Sequence, residues 1–474
     1  MSFMMQVRRR NMHITIVPIH EANDDIIFFE EKSCTEFGKV QLIPKGEELI
    51  VYIGIGQDSL TLENIRFLGG ISRKSLANAK EDAAVSAEFS LIMNRAENPE
   101  LGQVISSFME GWYLAEYQFS SYKRAPKLNQ LTMRWEEESL REYDQAARIR
   151  ANAVNLARDL CNEPANKLTP TTYAERLKQV FRETDVTVQV IDGDELVSNE
   201  FAGIHTVAKG SSEPAKLVVL TLDRDASKEK IALVGKGVTF DSGGTNVKTG
   251  KDIGEMKMDM GGSAAVAGAM KLLADSDTAA NVVAILPLVE NLADGNAFLP
   301  SDIIRYRNGL HVEVGNTDAE GRLILADGLL YAQLLGAKTI VDIATLTGSI
   351  GSALGLKAAG VFSNAESDLW HYKQLGDQTG DYVWPMPVYD DYLHYLKSDC
   401  GDVNNMSSSP YGGAITAALF LKQFVEKGIK WVHIDMANTV RPWREQGYYV
   451  PGASGFGVRL LFEMVRSELA QSQI

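Results

Sequence analysis

KIALVGK (230–236), GSAAVAGAMKLLAD (262–275) and NVVAILPLV (281–289) are the stretches that decide the fold. The first and last are short, almost continuous apolar runs of strand length. The middle one has helix length and is dominated by small and aliphatic residues. Apolar strands alternating with helices predict a mostly parallel sheet covered on both faces. The pattern extends outward. KLVVLTL (216–222), TIVDIATLT (339–347) and WVHIDMA (431–437) read as further strands, RLILADGLLYAQLL (322–335) and AITAALFLKQFVEKG (414–428) as further helices. The expectation is an α/β protein with a larger C-terminal domain over 161–474.

Upstream the pattern changes. Residues 1–134 mix strand-like HITIVPI and LIVYIGI with helix-like NAKEDAAVSAEFSLIM, and they carry no chemical motif. They predict a smaller N-terminal α/β domain. The charged, helical WEEESLREYDQAARIRANAVNLARDL (135–160) predicts a connecting helix, broken by the prolines of CNEPANKLTP.

Composition excludes several functions. The 474 residues are 45% hydrophobic, enough for a large core, and carry a net charge of −15. That charge disfavours nucleic acid and anionic membranes as partners. The Arg8–Arg10 run reads as a solvated end. Cys34, Cys161 and Cys400 lie far apart and form neither a disulfide framework nor a metal motif, which fits a reducing compartment. No targeting segment or apolar run of membrane-spanning length is evident, so the expected location is cytoplasmic. No HxxxH or HxH occurs, so a metal site would need oxygen ligands.

Polar residues gather where strands end. In open α/β sheets ligands bind at the carboxyl ends of strands. Lys236 ends IALVGK, Asp241 follows in GVTFDSGG, Lys248 in TNVK and Asp259 in MKMDMGG, while NTDAEGR contributes Asp318, Glu320 and Arg322. Taken alone, the last three suit a solvated loop with an acidic first helical turn. A phosphate loop is excluded: five residues separate Gly244 from Gly250, and Asp252 follows the lysine. GKGVTF lacks the third glycine of a dinucleotide fingerprint. Asp241, Asp259, Asp318 and Glu320 sum to −4 if ionised together, which demands compensation. Two divalent cations supply it, as in dinuclear hydrolases. A lysine that ligates metal must be neutral; a second lysine that stays cationic can stabilise an oxyanion.

VGKGVTFDSGG, Lys248, MKMDMGG and NTDAEGRL together resemble the leucyl aminopeptidase family, cytosolic exopeptidases with a dinuclear metal centre. CNEPANKLTP, ATLTGS, GGAITAALFL and GASGFGVRLL add to the resemblance, which spans roughly 150–470; the N-terminal domain is the variable part. The resemblance implies that Lys236, Asp241, Asp259 and Glu320 ligate one metal. Asp241, Asp318 and Glu320 ligate the other, with Asp241 and Glu320 bridging. It implies Lys248 as stabiliser of the tetrahedral intermediate and Arg322 as holder of a bicarbonate that shuttles a proton. Met256, Asn316, Thr345, Leu346, Gly348 and Ala437 fall on substrate-contact positions. The implied activity is cleavage of the first peptide bond of peptides with a free N-terminal amine. Leucine or another apolar N-terminal residue is preferred, and a metal-bridged hydroxide attacks. Mn²⁺ or Zn²⁺ and a homohexamer are implied as well.

The chain departs from the family pattern at Thr245-Asn246-Val247, where an apolar-Ser-Ile triplet is usual, and in SDCGDVNN. The first departure alters the wall beside Lys248. Some family members also bind DNA; the acidic charge argues against that role here. His311 and His433 are expected to be structural.

Overall fold

A computed structural model describes residues 13–21, 35–79, 83–97, 100–124, 131–135, 137–250 and 252–471. The Arg8–Arg10 run and Cys34 lie outside the described residues. The chain divides into two compact units. The first takes the described residues of Met1–Asn152 together with Arg444–Pro451, and the second takes Ala153–Trp443 and Gly452–Ile474. The helix Arg141–Asn162 begins in the first and ends in the second.

The first unit holds β1 (His13–Ile19), β2 (Val40–Lys45), β3 (Glu48–Gly54), β4 (Ala84–Ala87) and β5 (Thr132–Met133), in the order β2-β3-β1-β4-β5. The helices Leu62–Ser75 and Leu101–Ala115 pack together through two close backbone approaches. The helical reading of NAKEDAAVSAEFSLIM is corrected here. Ala84–Ala87 runs parallel to β1, and only Ser90–Arg95 is helical. Alanine is the best helix former, but propensity is small against tertiary context, and burial of Val85 beside Ile14 in the sheet overrides it.

The second unit carries β6 (Thr187–Asp192), β7 (Lys216–Asp223), β8 (Ile231–Gly235), β9 (Gly237–Asp241), β10 (Asn281–Asn291), β11 (Ile303–Arg305), β12 (His311–Glu313), β13 (Thr339–Ala344), β14 (Ala359–Ser363), β15 (Val383–Pro385), β16 (Val403–Asn404) and β17 (Lys430–Asp435). Among the described residues the main sheet runs β15-β14-β17-β13-β8-β10-β7-β6, with β9 also on β10. Its centre, β17-β13-β8-β10, is parallel; β6, β7 and β14 join antiparallel to their inner neighbours. Every residue of β10 is buried, as an apolar run covered on both faces should be. In this unit the expected strands and helices form. The helix starting at Gly413 ends at Lys422, several residues before the end of the apolar stretch that suggested it.

Two glycines let the layers close around the sheet edge. A Cβ on Gly262 would lie 2.1 Å from the Ile343 carbonyl oxygen, so only glycine lets the helix Gly261–Ala274 approach β13 this closely. A Cβ on Gly321 would lie 2.5 Å from Cε of Lys236; its absence leaves room for that side chain beside the helix Glu320–Leu334. Among the described residues no helix is long and apolar enough to cross a membrane.

Candidate metal centre

The parallel strands deliver their last residues to one edge. Lys236 follows β8, Asp241 ends β9, Asn291 ends β10, Thr345 follows β13 and Asp435 ends β17. Asp259 follows the short 3-10 turn Ile253–Met258, directly before the helix that Gly262 draws in. Glu320 opens its own helix, whose N-cap position Ala319 has no side-chain cap.

Six charged side chains meet there. The Lys236 ammonium lies 2.7 Å from Asp259 and 3.0 Å from Glu320, and it donates to the Thr345 carbonyl at 2.8 Å. The Lys248 ammonium lies 2.7 Å from Asp241 and 2.5 Å from Asp318. Asp241, Asp259 and Glu320 each offer an oxygen within 4.8 Å of the others. Glu320 is only 1% exposed, so the solvated-loop reading does not describe it.

Electrostatics follow from this crowding. Burial disfavours the Glu320 carboxylate, and Asp241 beside it adds repulsion; Lys236 offsets only part, and the carboxyl is pushed up to about 8. Asp259 is pushed up to about 6, by burial first. Asp318 is also raised, chiefly by burial. Burial opposes the Lys236 ammonium, yet Asp259, Glu320 and Asp241 together outweigh it and hold the proton well above its usual range. Lys248 is raised in the same way by Asp241 and Asp318. The two ammonium groups thus compensate a set of oxygen donors dense enough for divalent cations. The chemistry and spacing of the donors fit such metals.

Arg322 is buried. Its Nη1 donates to the Asn405 carbonyl at 2.7 Å, whereas its Nε has no hydrogen-bond partner among the described residues. Burial lowers it to about 10, with Glu320 and Asp435 working the other way. A buried guanidinium with a free donor suits an anion.

The residues on expected substrate positions are mostly gathered by hydrogen bonds. Thr345 Oγ1 donates to Asp259 Oδ1 at 2.8 Å. Leu346 N and Ala437 N each donate to Asp435 Oδ1 at 3.3 Å, and Thr347 Oγ1 donates to Asp435 Oδ2 at 2.5 Å. Gly348 opens the helix that Thr347 caps. Asn316 Oδ1 accepts from Asp318 N at 2.7 Å. Met256, half-buried in the turn before Asp259, accepts from Asp259 N through its carbonyl at 3.3 Å. His433 lies fully buried against Asp342 within the sheet, and His311 is exposed on β12.

Sequence reasoning missed the amides and Asp435 that frame the centre. Asn291 Nδ2 donates to Asp241 Oδ1 at 2.8 Å and to Thr317 O at 3.0 Å. Asn405, fully buried, accepts from Gly315 N at 2.7 Å and Asn316 N at 3.2 Å, and donates to Asn316 O at 2.9 Å and Ala319 O at 3.2 Å. A polar residue closing an apolar strand was the available signal for Asn291 and Asp435. Asn405 lies in SDCGDVNN, whose departure from pattern marked it without explaining it.

The chain resembles known proteins over nearly its whole length. Residues 155–462 match the model of the cytosol aminopeptidase family, catalytic domain. A probable cytosol aminopeptidase of Persephonella marina is 36% identical over 91% of this chain and 88% of its own length. The one of Aquifex aeolicus is 37% identical over 91% and 87%. Among solved structures, the bottromycin maturation enzyme BotP in complex with Mn superposes with a TM-score of 0.89 at 29% identity, covering 97% of this chain and 99% of the other.

Proposed function

The chain belongs to the cytosol aminopeptidase family and is a metal-dependent aminopeptidase; we propose that it removes leucine or another apolar residue from peptides with a free N-terminal amine. The observation that supports this is the convergence of four carboxylates and two lysines at the carboxyl edge of the parallel strands.

Lys236, Asp241, Asp259 and Glu320 would hold one divalent ion, and Asp241, Asp318 and Glu320 a second. The ions supply Lewis acidity toward the scissile carbonyl and a nucleophilic water at neutral pH. Their charge would take over from the Lys236 ammonium the compensation of the carboxylates. Lys236, the more deeply buried lysine, would ligate as the neutral amine, its proton passing to solvent once divalent charge takes over its carboxylate partners. Lys248 keeps its proton and faces the carbonyl oxygen where negative charge develops. Arg322 would hold a bicarbonate through its free Nε, and a bicarbonate held there would supply a base for the proton of the attacking water. Asp435 fixes the backbone of Leu346 and Thr347, so the strip that lines the substrate is rigid before the substrate arrives. Manganese is proposed from the Mn complex of the structural relative, with zinc an alternative suited to the same donors. The chain acts in the cytoplasm as a homohexamer. Light scattering at the mass of one 52.1 kDa chain would refute that assembly.

The test is a panel of aminoacyl-anilides with the metal varied, together with one peptide in free and N-acetylated form. Acetylation delocalises the amine lone pair and should lower kcat/KM by at least ~10³-fold, or ~4 kcal/mol. Comparable cleavage of both forms, or cuts inside a chain, would remove the exopeptidase reading.

A further inference from the structure

Two residues of the charged centre sit on two loops. One, Ser242–Lys248, carries Lys248; the other, Gly315–Ala319, carries Asp318 just before the helix Glu320–Leu334. Neither loop has a strand or helix of its own to set its distance from the other. A compact group of hydrogen bonds does so. Asn246 Oδ1 accepts from Thr317 N at 2.9 Å and lies 3.1 Å from Thr317 Oγ1. Asn246 N donates back to Thr317 Oγ1 at 2.8 Å. Thr317 Oγ1 also lies 2.6 Å from the Gly243 carbonyl, to which it donates. Thr317 is fully buried, whereas the Asn246 residue is exposed.

The positions of these two residues give the bonds their consequence. Thr317 directly precedes Asp318, and Asn246 lies two residues before Lys248. We infer that Asn246 is a positioning residue for the reaction: its latch on Thr317 sets where the Lys248 ammonium stands relative to Asp318 and Asp241. The inference rests on the proposed role of Lys248 in stabilising developing charge. A lysine has four rotatable side-chain bonds and is not self-orienting. Its Nζ is placed by the two carboxylates and by where its backbone starts. Lys248 N donates to Ser242 O at 2.9 Å, which closes the loop on itself but does not tie it to Asp318. The Asn246–Thr317 bonds supply that tie. Small misplacements of such a group are costly, because charge stabilisation in the transition state depends on donors already standing in place.

The latch uses Asn246 only as an acceptor at its side chain. A carboxylate of the same shape keeps that acceptor, whereas a methyl group removes it. Asn246→Ala should therefore lower kcat by about 10-fold with little change in KM. The thermal midpoint should stay near that of the parent, since the side chain is exposed, and bound metal at saturating Mn²⁺ should be retained. Asn246→Asp should recover most of the lost kcat. Thr317→Val, which removes the shared hydroxyl, should add little to the loss in Asn246→Ala, because both act on one unit. The measurements are kcat and KM on an apolar aminoacyl-anilide, metal content and melting temperature, with Lys248→Ala run alongside. Parent-like kcat in Asn246→Ala, beside a large loss in Lys248→Ala, would overturn the latch alone. So would an Asp variant no better than the alanine one, or a loss of kcat matched by a loss of folded protein. Parent-like kcat in Lys248→Ala would overturn the reading beneath it as well.

Discussion

Lys236 and Lys248 stand in almost the same constellation and in different surroundings. Each ammonium touches two carboxylates within 3.0 Å. The Lys236 half is closed: its side chain is 4% exposed, and those of Asp259 and Glu320 are 10% and 1%. The Lys248 half is open, with 23% for the lysine and 34% for Asp318. Contact geometry alone does not distinguish the roles; access to water does. An ammonium deprived of solvent relies chiefly on its carboxylate partners, and divalent cations binding those partners would withdraw that support. The open lysine keeps access to solvent. On the proposed function, the closed lysine is therefore the one that would ligate metal and the open one the one that would stabilise the oxyanion.

The largest expected effect comes from removing the metal. Exhaustive chelation should abolish hydrolysis, and added Mn²⁺, Zn²⁺ or Co²⁺ should restore it, with metal content approaching two per chain at full activity. Full turnover by protein shown to be metal-free would break the comparison outright.

The next test separates the halves. Asp259→Ala and Lys236→Ala should lose metal, and activity with it. Lys248→Ala should keep its metal and lose ~10²–10³-fold in kcat. Equal metal loss in the Lys236 and Lys248 variants would show that the closed and open halves do not differ in role.

The smallest effect concerns pH. In the metal-free protein Glu320 is raised to about 8, far above its unfolded value of ~4.3. A carboxyl raised in the folded state contributes stability below its unfolded value, and that contribution is lost as pH rises through about 8. Metal binding has the opposite sign, since it requires the ionised carboxylate and displaces its proton. The difference in melting temperature between metal-loaded and metal-free protein should therefore widen from pH 6 to pH 8. A gap that is constant or narrows over that range would contradict the protonated Glu320. Activity should fall on the acid side for the same reason.

Much of this was legible in the chain, and the legible part has a common character. The strands of the main sheet are apolar runs whose period and length are local properties. The candidate residues were legible because each closes or follows such a run or sits in a short motif, as Lys236 ends IALVGK and Asp318 lies in NTDAEGR. The strand Ala84–Ala87 was not legible, because its alanines favour helix and only its partner strand makes it extended. Asn405 was not legible either. An asparagine between a strand and a loop has many ordinary uses, and its hydrogen bonds go to residues about ninety positions away.

The sequence by itself determined the α/β alternation, the −15 charge and the residue types able to hold divalent metal, because each is written in composition or in near neighbours. Tertiary structure alone decided that Lys236 is closed off and Lys248 open. It also decided that Gly262 and Gly321 make room where they do, and that Asn246 meets Thr317 across 71 residues. These are facts of burial and distance between remote segments, and they exist only once the parallel strands have brought their carboxyl ends to one edge.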